Sequence, residues 1–539
     1  MIRGGAGCSA ELPECVDGAD GEEEIVEKFR EVYSTLYNSA GTEDEMTDLK
    51  AKVEDLIRGD SYDEVNKLTG AKVKEAVGKM KPRKGDVSGG FTSDALLNAP
   101  DILFDKLAAI FRSWLVHGTV SLSLLACAFL PLLKSCLKNP ADPGSYRAIA
   151  GSSLILKLFE KVILLIWGHL LASDSLQFGY KSETSTTQCS WLVQEVVGHF
   201  LMNGSHPILT VLDCSKAFDT CMFATMFNKL LDTGLPPIVI RTMMVVYEQQ
   251  YAWVKWGQAV SRRFNISNGT RQGSVASPVL WCVYLDLLIK ELRELGLGCH
   301  VGGIFMGVVV YADDVLLMAP SRSAMQAMLK KCELYALKNN IMFSTDPDPS
   351  KSKTKCILVC GADKNLGKPA ALTLCGRELP WVSSANHLGH ELHESGTMEH
   401  DAHVKKAMFI DKSVEIREMF HFASPVEVLG AMKVFCGSFY GCMLWDLGGC
   451  RASQVFNSWT TAVKLSWSVP RATRTYLVQK VLASGLTSAK VDILARYANF
   501  FNSLRKSPCQ EVVIMANIAA RDMRTTTARN LRFWRKVLG

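Results

Sequence analysis

No window of the 539 residues strings together the 18 or so apolar residues that a membrane span needs. The nearest runs fail for visible reasons. Residues 124–133 are too few and end at Lys134, while 154–171 carry Lys157, Glu160 and Lys161. A secretory leader is missing too, since residues 1–20 are acidic and have no apolar segment. The 17 cysteines are odd in number, scattered and mostly set in apolar stretches, which suits reduced thiols rather than a disulfide framework. Zinc is poorly served: Cys356 and Cys360 precede Cys375, His387, His390 and His393, but 356–360 reads as a strand and no compact finger spacing follows. The basic, glycine-rich stretch 81–97 lacks P-loop spacing, although Ser93 or Asp94 is placed to cap a helix there. These absences leave an intracellular globular protein, in nucleus or cytoplasm, long enough for two to four domains.

Net charge is small, +6, but unevenly spread. Residues 1–60 hold 16 Asp and Glu against 6 Lys and Arg, whereas 451–539 hold 15 Lys and Arg against 3 acids. The acidic, Gly-rich start (1–21) reads as disordered. The basic end suggests phosphate-backbone contact, with Trp467, Phe533 and Trp534 available for base stacking beside Arg529, Arg532, Arg535 and Lys536.

What is present is organised around residues 304–319, IFMGVVVYADDVLLMA. Two β-branched or apolar runs read as buried strands, and Tyr311, Ala312, Asp313 and Asp314 as the turn between them. Adjacent carboxylates beside a core are costly in desolvation and mutual repulsion, and a divalent cation removes both costs. A third carboxylate, Asp213, stands at the exit of an apolar strand at 209–211. No Lys or Arg is expected to neutralise this set.

Along the chain, helical periodicity marks 22–37, about 69–80, 152–171, 223–233, 278–295 and 323–339, and most of 400–539. A strand at 126–133 and its return at 146–149 flank a Pro/Gly turn, so Lys134 and Arg147 lie on opposite arms of a hairpin able to clamp a triphosphate. The loop 268–278, NGTRQGSVASP, offers Arg271 and Gln272 as donors and Gly273 for close backbone approach.

The ordered set DVSGGFTSDAL (86–96), PLLKSCLKNPADPGSYRAIAGSSLILKLFEK (131–161), LQFGYKSETSTTQ (176–188), LDCSKAFD (212–219), NGTRQGSVASPVLWCVYLDLL (268–288), YADD (311–314), SKTK (352–355) and the HLG of 387–389 resembles the reverse transcriptase of non-LTR (LINE-type) retrotransposons, over roughly residues 23–480. The resemblance implies an α+β, helix-rich, right-hand polymerase: an acidic N-terminal segment (1–68), fingers (69–205), a palm with an antiparallel sheet (206–345), palm end and helical thumb (346–480), and a basic helical tail (481–539). It implies that Asp213, Asp313 and Asp314 are catalytic and hold two Mg²⁺ ions, with Mn²⁺ as a substitute. It places Phe218 under the sugar, where it excludes a 2′-hydroxyl. Lys134, Arg147, Arg271, Gln272 and Gly273 fall on the nucleotide, and Lys353 becomes the loop lysine that protonates pyrophosphate. Asp219 is given a structural role. RNA template, DNA primer and dNTPs are the implied partners, no membrane is involved, and oligomeric state is left open.

Departures are mild: Ala148 stands where the family usually has proline, Tyr180-Lys181 where Phe-Arg is common, and His387 where Tyr precedes Leu-Gly. No RNase H carboxylate set, upstream endonuclease or C-terminal Cys/His knuckle is legible, so a truncated or host-embedded copy is expected. The rival functions are a catalytically silent nucleic-acid-binding relic, disfavoured by the intact Asp213, Asp313, Asp314, Phe218 and Gln272, and an RNA-templated RNA polymerase, disfavoured by the bulk of Phe218.

Overall fold

Ile208–Ser215 is the middle strand of a five-stranded sheet in the computed structural model, which describes residues 13–40, 43–59, 62–135, 138–361, 367, 369–477 and 489–538. The chain divides into two compact units built from interleaved segments. The five consecutive domains expected from the sequence therefore differ from the division by contacts, since each unit collects stretches far apart in the chain.

The first unit comprises 1–173, 215–287 and 335–342. Its sheet runs Tyr146–Ser152, Ala126–Leu133, Tyr251–Trp256, Ala259–Val260, and Phe264–Asn265 also pairs with Tyr251–Trp256. Ala126–Leu133 is antiparallel to Tyr146–Ser152 and parallel to Tyr251–Trp256. The Gly21–Leu36 helix turns Ile25, Val26, Phe29 and Tyr33 inward at helical spacing, and its first turn holds Glu22, Glu23 and Glu24, where the helix dipole favours acids. Phe29 meets Tyr146 and Trp256, ring centres 5.1 Å away in each case, which fastens this helix to the sheet. Part of the expected N-terminal disorder is corrected: Cys15–Val16 and Ala19–Asp20 pair as a short hairpin, while residues 1–12 lie outside the described residues. The Ser93–Leu97 helix is capped by neither expected side chain. Ser93 is fully buried and ties the loop to itself, donating to the Lys81 carbonyl and accepting from the Lys84 amide, while Asp94 accepts from the Arg83 amide.

The second unit comprises 174–214, 288–334 and 343–539. Its sheet runs Val308–Tyr311, Asp314–Ala319, Ile208–Ser215, Met342–Phe343, with Lys355–Leu358 also pairing with Ile208–Ser215. Val308–Val310, Val315–Ala319 and Leu212 are fully buried, so the apolar runs are core strands, as their composition predicts. Ser185 caps the Thr186–Met202 helix through the Gln188 amide. A full capping box of Ser424 and Glu427 starts Pro425–Phe435.

The C-terminal helices Ala489–Arg505, Gln510–Arg521 and Thr526–Leu538 are part of this unit rather than a separate tail. Thr527 Oγ1 donates to Glu195 (2.7 Å) and accepts from Trp191 Nε1 (3.1 Å). Asn530 bridges the Leu447 amide and the Trp445 carbonyl, at 2.8 Å each. Arg293 joins Asp174 (2.8 Å) to Glu511 (3.0 Å). The aromatics expected to be available for stacking are half-buried: Lys490 lies over the Phe533 ring, and Trp534 Nε1 is shut away from solvent. Among the described residues, no helix is long and apolar enough to cross a membrane.

Candidate active site

Asp314 is the direct register partner of two residues, Tyr311 across the hairpin and Asp213 on the neighbouring strand. The expected four-residue turn is tighter in the structure. Tyr311 and Asp314 already belong to the strands, and only Ala312 and Asp313 make the connection. Ala312 takes φ of +59°, a position where glycine is usual, so the turn stores roughly 1–2 kcal/mol of backbone strain. Asp213 is fixed through its backbone: its carbonyl accepts from the Ser344 amide at 2.8 Å, and its amide donates to Thr354 Oγ1 at 3.4 Å.

The electrostatics are those of acids forced together. Burial first, then the charges of Asp313 and Asp213, push the Asp314 carboxyl up to about 6. Burial likewise raises the thiol of the adjacent Cys214. The expectation that no cation neutralises the set is corrected: Lys353 Nζ lies 3.5 Å from Asp213 Oδ2. Both groups are substantially exposed, so the pair is a weak one that a stronger cation can displace. As the side chains stand, no three His, Cys, Asp or Glu among the described residues converge tightly enough to ligate an ion. The donors nevertheless fit a hard divalent cation in kind, being three carboxylates, two from the register pair Asp213 and Asp314 and one from the turn that leads into Asp314.

The remaining predicted residues belong to the first unit, apart from Lys353. Arg147 stands opposite Leu132, and by strand alternation Leu132, Lys134 and Arg147 share one exposed face. Lys134 Nζ donates to the Gly144 carbonyl at 2.7 Å. Phe218 is half-buried, its ring 5.5 Å from that of Trp281. Its carbonyl accepts the Thr270 amide at 2.6 Å, which ties the 212–219 motif to the 268–278 loop. Asp219 is buried and takes hydrogen bonds from Tyr37 Oη (2.6 Å) and Gln272 Nε2 (3.0 Å). Burial raises its carboxyl against the pull of these two donors. Gln272 also accepts the Ala150 amide at 2.7 Å through its backbone carbonyl. Gly273 has φ of +126°, and a Cβ there would sit 2.6 Å from the Ala150 carbonyl oxygen. Its glycine is thus required by the neighbouring strand, whatever ligand approaches.

Arg271 is a correction. It is 1% exposed, with Nη2 3.3 Å from Glu160 Oε1 and its guanidinium 5.7 Å from the Tyr247 ring centre, so it offers no donor to a nucleotide. The partner was missed in the sequence. Glu160 also accepts from Ser274 Oγ (2.7 Å) and from the amides of Val275 (2.8 Å) and Ala276 (3.4 Å), so one buried carboxylate holds the turn after Gln272. An acid on the apolar Leu154–Trp167 helix was the available signal, since a charge facing the core requires a partner.

Residues 136–392 match the family described as "Reverse transcriptase (RNA-dependent DNA polymerase)". The chain is 24% identical over 225 residues to the "Retrovirus-related Pol polyprotein from type-1 retrotransposable element R2" of Nasonia vitripennis, covering 42% of this chain and 22% of that protein. It is 24% identical over 307 residues to the "RNA-directed DNA polymerase from mobile element jockey" of Drosophila funebris, covering 54% and 32%. A Pol polyprotein of element R1 from Bradysia coprophila is 24% identical over 322 residues, covering 59% and 30%. The chain therefore spans under a third of the length of these relatives. Among solved structures, telomerase from Candida albicans aligns over 82% of this chain and 69% of its own, at 11% identity and a TM-score of 0.36. Residues 136–392 are thus similar to reverse transcriptases, and the described residues combine helices with mixed sheets in an α+β arrangement. The relatives named here all come from mobile or retrotransposable elements, which agrees with the resemblance read from the sequence motifs.

Proposed function

We propose that this chain is an RNA-directed DNA polymerase, copying an RNA template from a DNA primer with dNTPs as substrates. The observation that carries the reading is the placement of Asp213 and Asp314 as register partners with Asp313 in the turn between strands. Asp213, Asp313 and Asp314 would hold two Mg²⁺ ions, with Mn²⁺ as a substitute, which when bound promote loss of the primer 3′-hydroxyl proton and neutralise the leaving pyrophosphate. The paired, half-buried acids supply negative charge where those cations are needed, at a cost the fold meets through its buried strands. Lys353, already beside Asp213, would pass to the triphosphate and deliver a proton to the departing pyrophosphate. Lys134 and Arg147, on one exposed face, would grip phosphate oxygens, Arg147 in bidentate fashion. Phe218, backed by Trp281, would close the space a 2′-hydroxyl requires. Gln272, oriented by Asp219, and the backbone at Gly273 would line the incoming nucleotide. Arg271 is left out of this set because its guanidinium is buried beside Glu160, out of a nucleotide's reach. Primer extension on an RNA template, with dNTPs and then with NTPs, tests the reading: extension by dNTPs alone supports it. Extension by NTPs, or binding without synthesis, would overturn it.

A further inference from the structure

Gln177 lies in the stretch LQFGYK, to which the sequence reading attached no role, and its side chain is fully buried. Its Oε1 accepts two backbone amides at once, Gly179 at 2.8 Å and Ala312 at 3.0 Å. Ala312 is the strained first residue of the carboxylate turn, and Asp313 is the next. The backbone around Gln177 is bound to the same hairpin. Val310 donates to the Leu176 carbonyl (2.9 Å) and its own carbonyl accepts the Phe178 amide (2.7 Å), so residues 176–178 lie along the free edge of Val308–Tyr311 as a parallel bridge. Gly179 approaches so closely that a Cβ there would be 2.6 Å from the Ala312 nitrogen. The segment is anchored in turn. Asp174 Oδ1 accepts the Leu176 amide at 2.9 Å while holding Arg293, and Thr184 Oγ1 donates to the Phe178 carbonyl at 2.7 Å.

We propose that Gln177 is the positioning residue of the catalytic turn: its amide oxygen, held by the 174–184 segment, fixes the left-handed Ala312 and thereby the places of Asp313 and Asp314. Three physical points carry this. A left-handed alanine is unfavourable by itself and persists only where its surroundings over-determine it. Its amide is directed into the core onto Gln177 Oε1, where an unmatched N–H is costly. Metal and catalytic constellations tolerate displacements of only about 0.5 Å, and loss of a residue that orients ligands commonly weakens metal affinity about 10–100-fold.

The inference rests on the reading of Asp213, Asp313 and Asp314 as ion ligands, and the test separates the two. Mn²⁺ binding to the full chain, free of nucleic acid and nucleotide, is titrated by electron paramagnetic resonance for the wild type, Asp313→Asn, Gln177→Met and Gly179→Ala. Gln177→Met removes the acceptor at nearly constant volume. Gly179→Ala presses on Ala312 from the same segment with Gln177 intact. The expected result is saturable binding by the wild type, its loss in Asp313→Asn, and at least about tenfold weaker binding in folded Gln177→Met. Primer–template affinity stays unchanged, and higher Mn²⁺ restores extension in part. Wild-type affinity in a folded Gln177→Met would overturn the positioning role while leaving the ion site standing. Should Gln177→Met fail to fold, Gly179→Ala decides: weakened Mn²⁺ binding supports the role, and unchanged binding overturns it. Absence of binding by the wild type, or equal binding by Asp313→Asn, would overturn the ion site itself and with it the inference.

Discussion

Asp213 and Asp314 face each other directly across two antiparallel strands, which places their Cα atoms about 4.5–5.5 Å apart, as in any such ladder. Nothing in sheet formation calls for this pairing; like charges opposed across a ladder are unfavourable. Here burial, with the charges of Asp313 and Asp213 added, pushes the Asp314 carboxyl up to about 6, and Lys353 lies beside Asp213. A fold that keeps such a pair at the end of buried strands is spending stability on a site.

Phe218 packs beside Trp281, so Phe218→Val should open space on the side of the nucleotide sugar without collapsing the motif. Ribonucleotide use should rise by about two orders of magnitude or more, against a loss of less than about tenfold in dNTP use, by analogy with other built-in steric rejection. Steady-state discrimination between dNTP and rNTP is the measurement, and unchanged rejection of rNTPs would take Phe218 out of that role.

Glu160 and Arg271 should prove a coupled pair. Arg271→Met leaves a buried carboxylate without its cation and should destabilise the protein by about 3–5 kcal/mol, with Glu160→Gln similarly harmful. The double variant should cost clearly less than the sum of the two, because neither charge is then left alone. Denaturant unfolding of all four proteins gives the coupling energy, and strict additivity would refute the pairing.

Glu195 supplies a pH signature. It is fully buried, and burial lifts its carboxyl from the ordinary 4.5 to about 7 despite the hydrogen bond from Thr527. A raised acid contributes fully below its unfolded value, and that contribution is lost as pH rises through the folded value. Stability should therefore drain away between about pH 4.5 and 7, by roughly 3 kcal/mol at 1.36 kcal/mol per unit. Glu195→Gln should flatten this loss, so that the variant gains on the wild type at pH 8 relative to pH 5. Parallel stability curves for the two proteins would exclude Glu195 as the cause.

The basic end calls for a different test from deletion. Helices Gln510–Arg521 and Thr526–Leu538 carry Glu511, Thr527 and Asn530 into the core of their unit, so removing residues 509–539 should unfold it and says nothing about binding. Arg532, Arg535 and Lys536 are exposed. Replacing all three with Gln should leave the melting temperature unchanged and reduce the salt dependence of primer–template binding by roughly 0.7–0.9 in log–log slope per lost phosphate contact. Identical slopes would show that this face meets solvent alone.

How much of this was legible follows from how local each signal is. The strands around Asp313 and Asp314 could be read because β-branched runs are buried over a few consecutive residues, and Asp213 because it ends such a run. The turn length could not, since Tyr311 and Asp314 pair only once the hairpin closes. Arg271 looked like a donor for a ligand because its partner, Glu160, lies 111 residues earlier. Gln177 fell within one of the blocks that carry the resemblance, but its role could not be read, being that of one polar residue whose acceptor meets an amide 135 residues away. The aromatics of the C-terminal helix were misjudged because neighbouring arginines reveal charge and not which face packs.

The most direct test of the account is RNA-templated primer extension by the full chain in Mg²⁺, run beside Asp313→Asn with primer–template binding measured on both. The expected outcome is processive addition of dNTPs by the wild type and a loss of at least about 10³-fold in the variant, with binding nearly equal, since removing even one preorganised electrostatic contact costs about 10²–10³. A wild-type chain that binds the duplex and adds no nucleotide, or an Asp313→Asn protein that extends as well as the wild type, would contradict it.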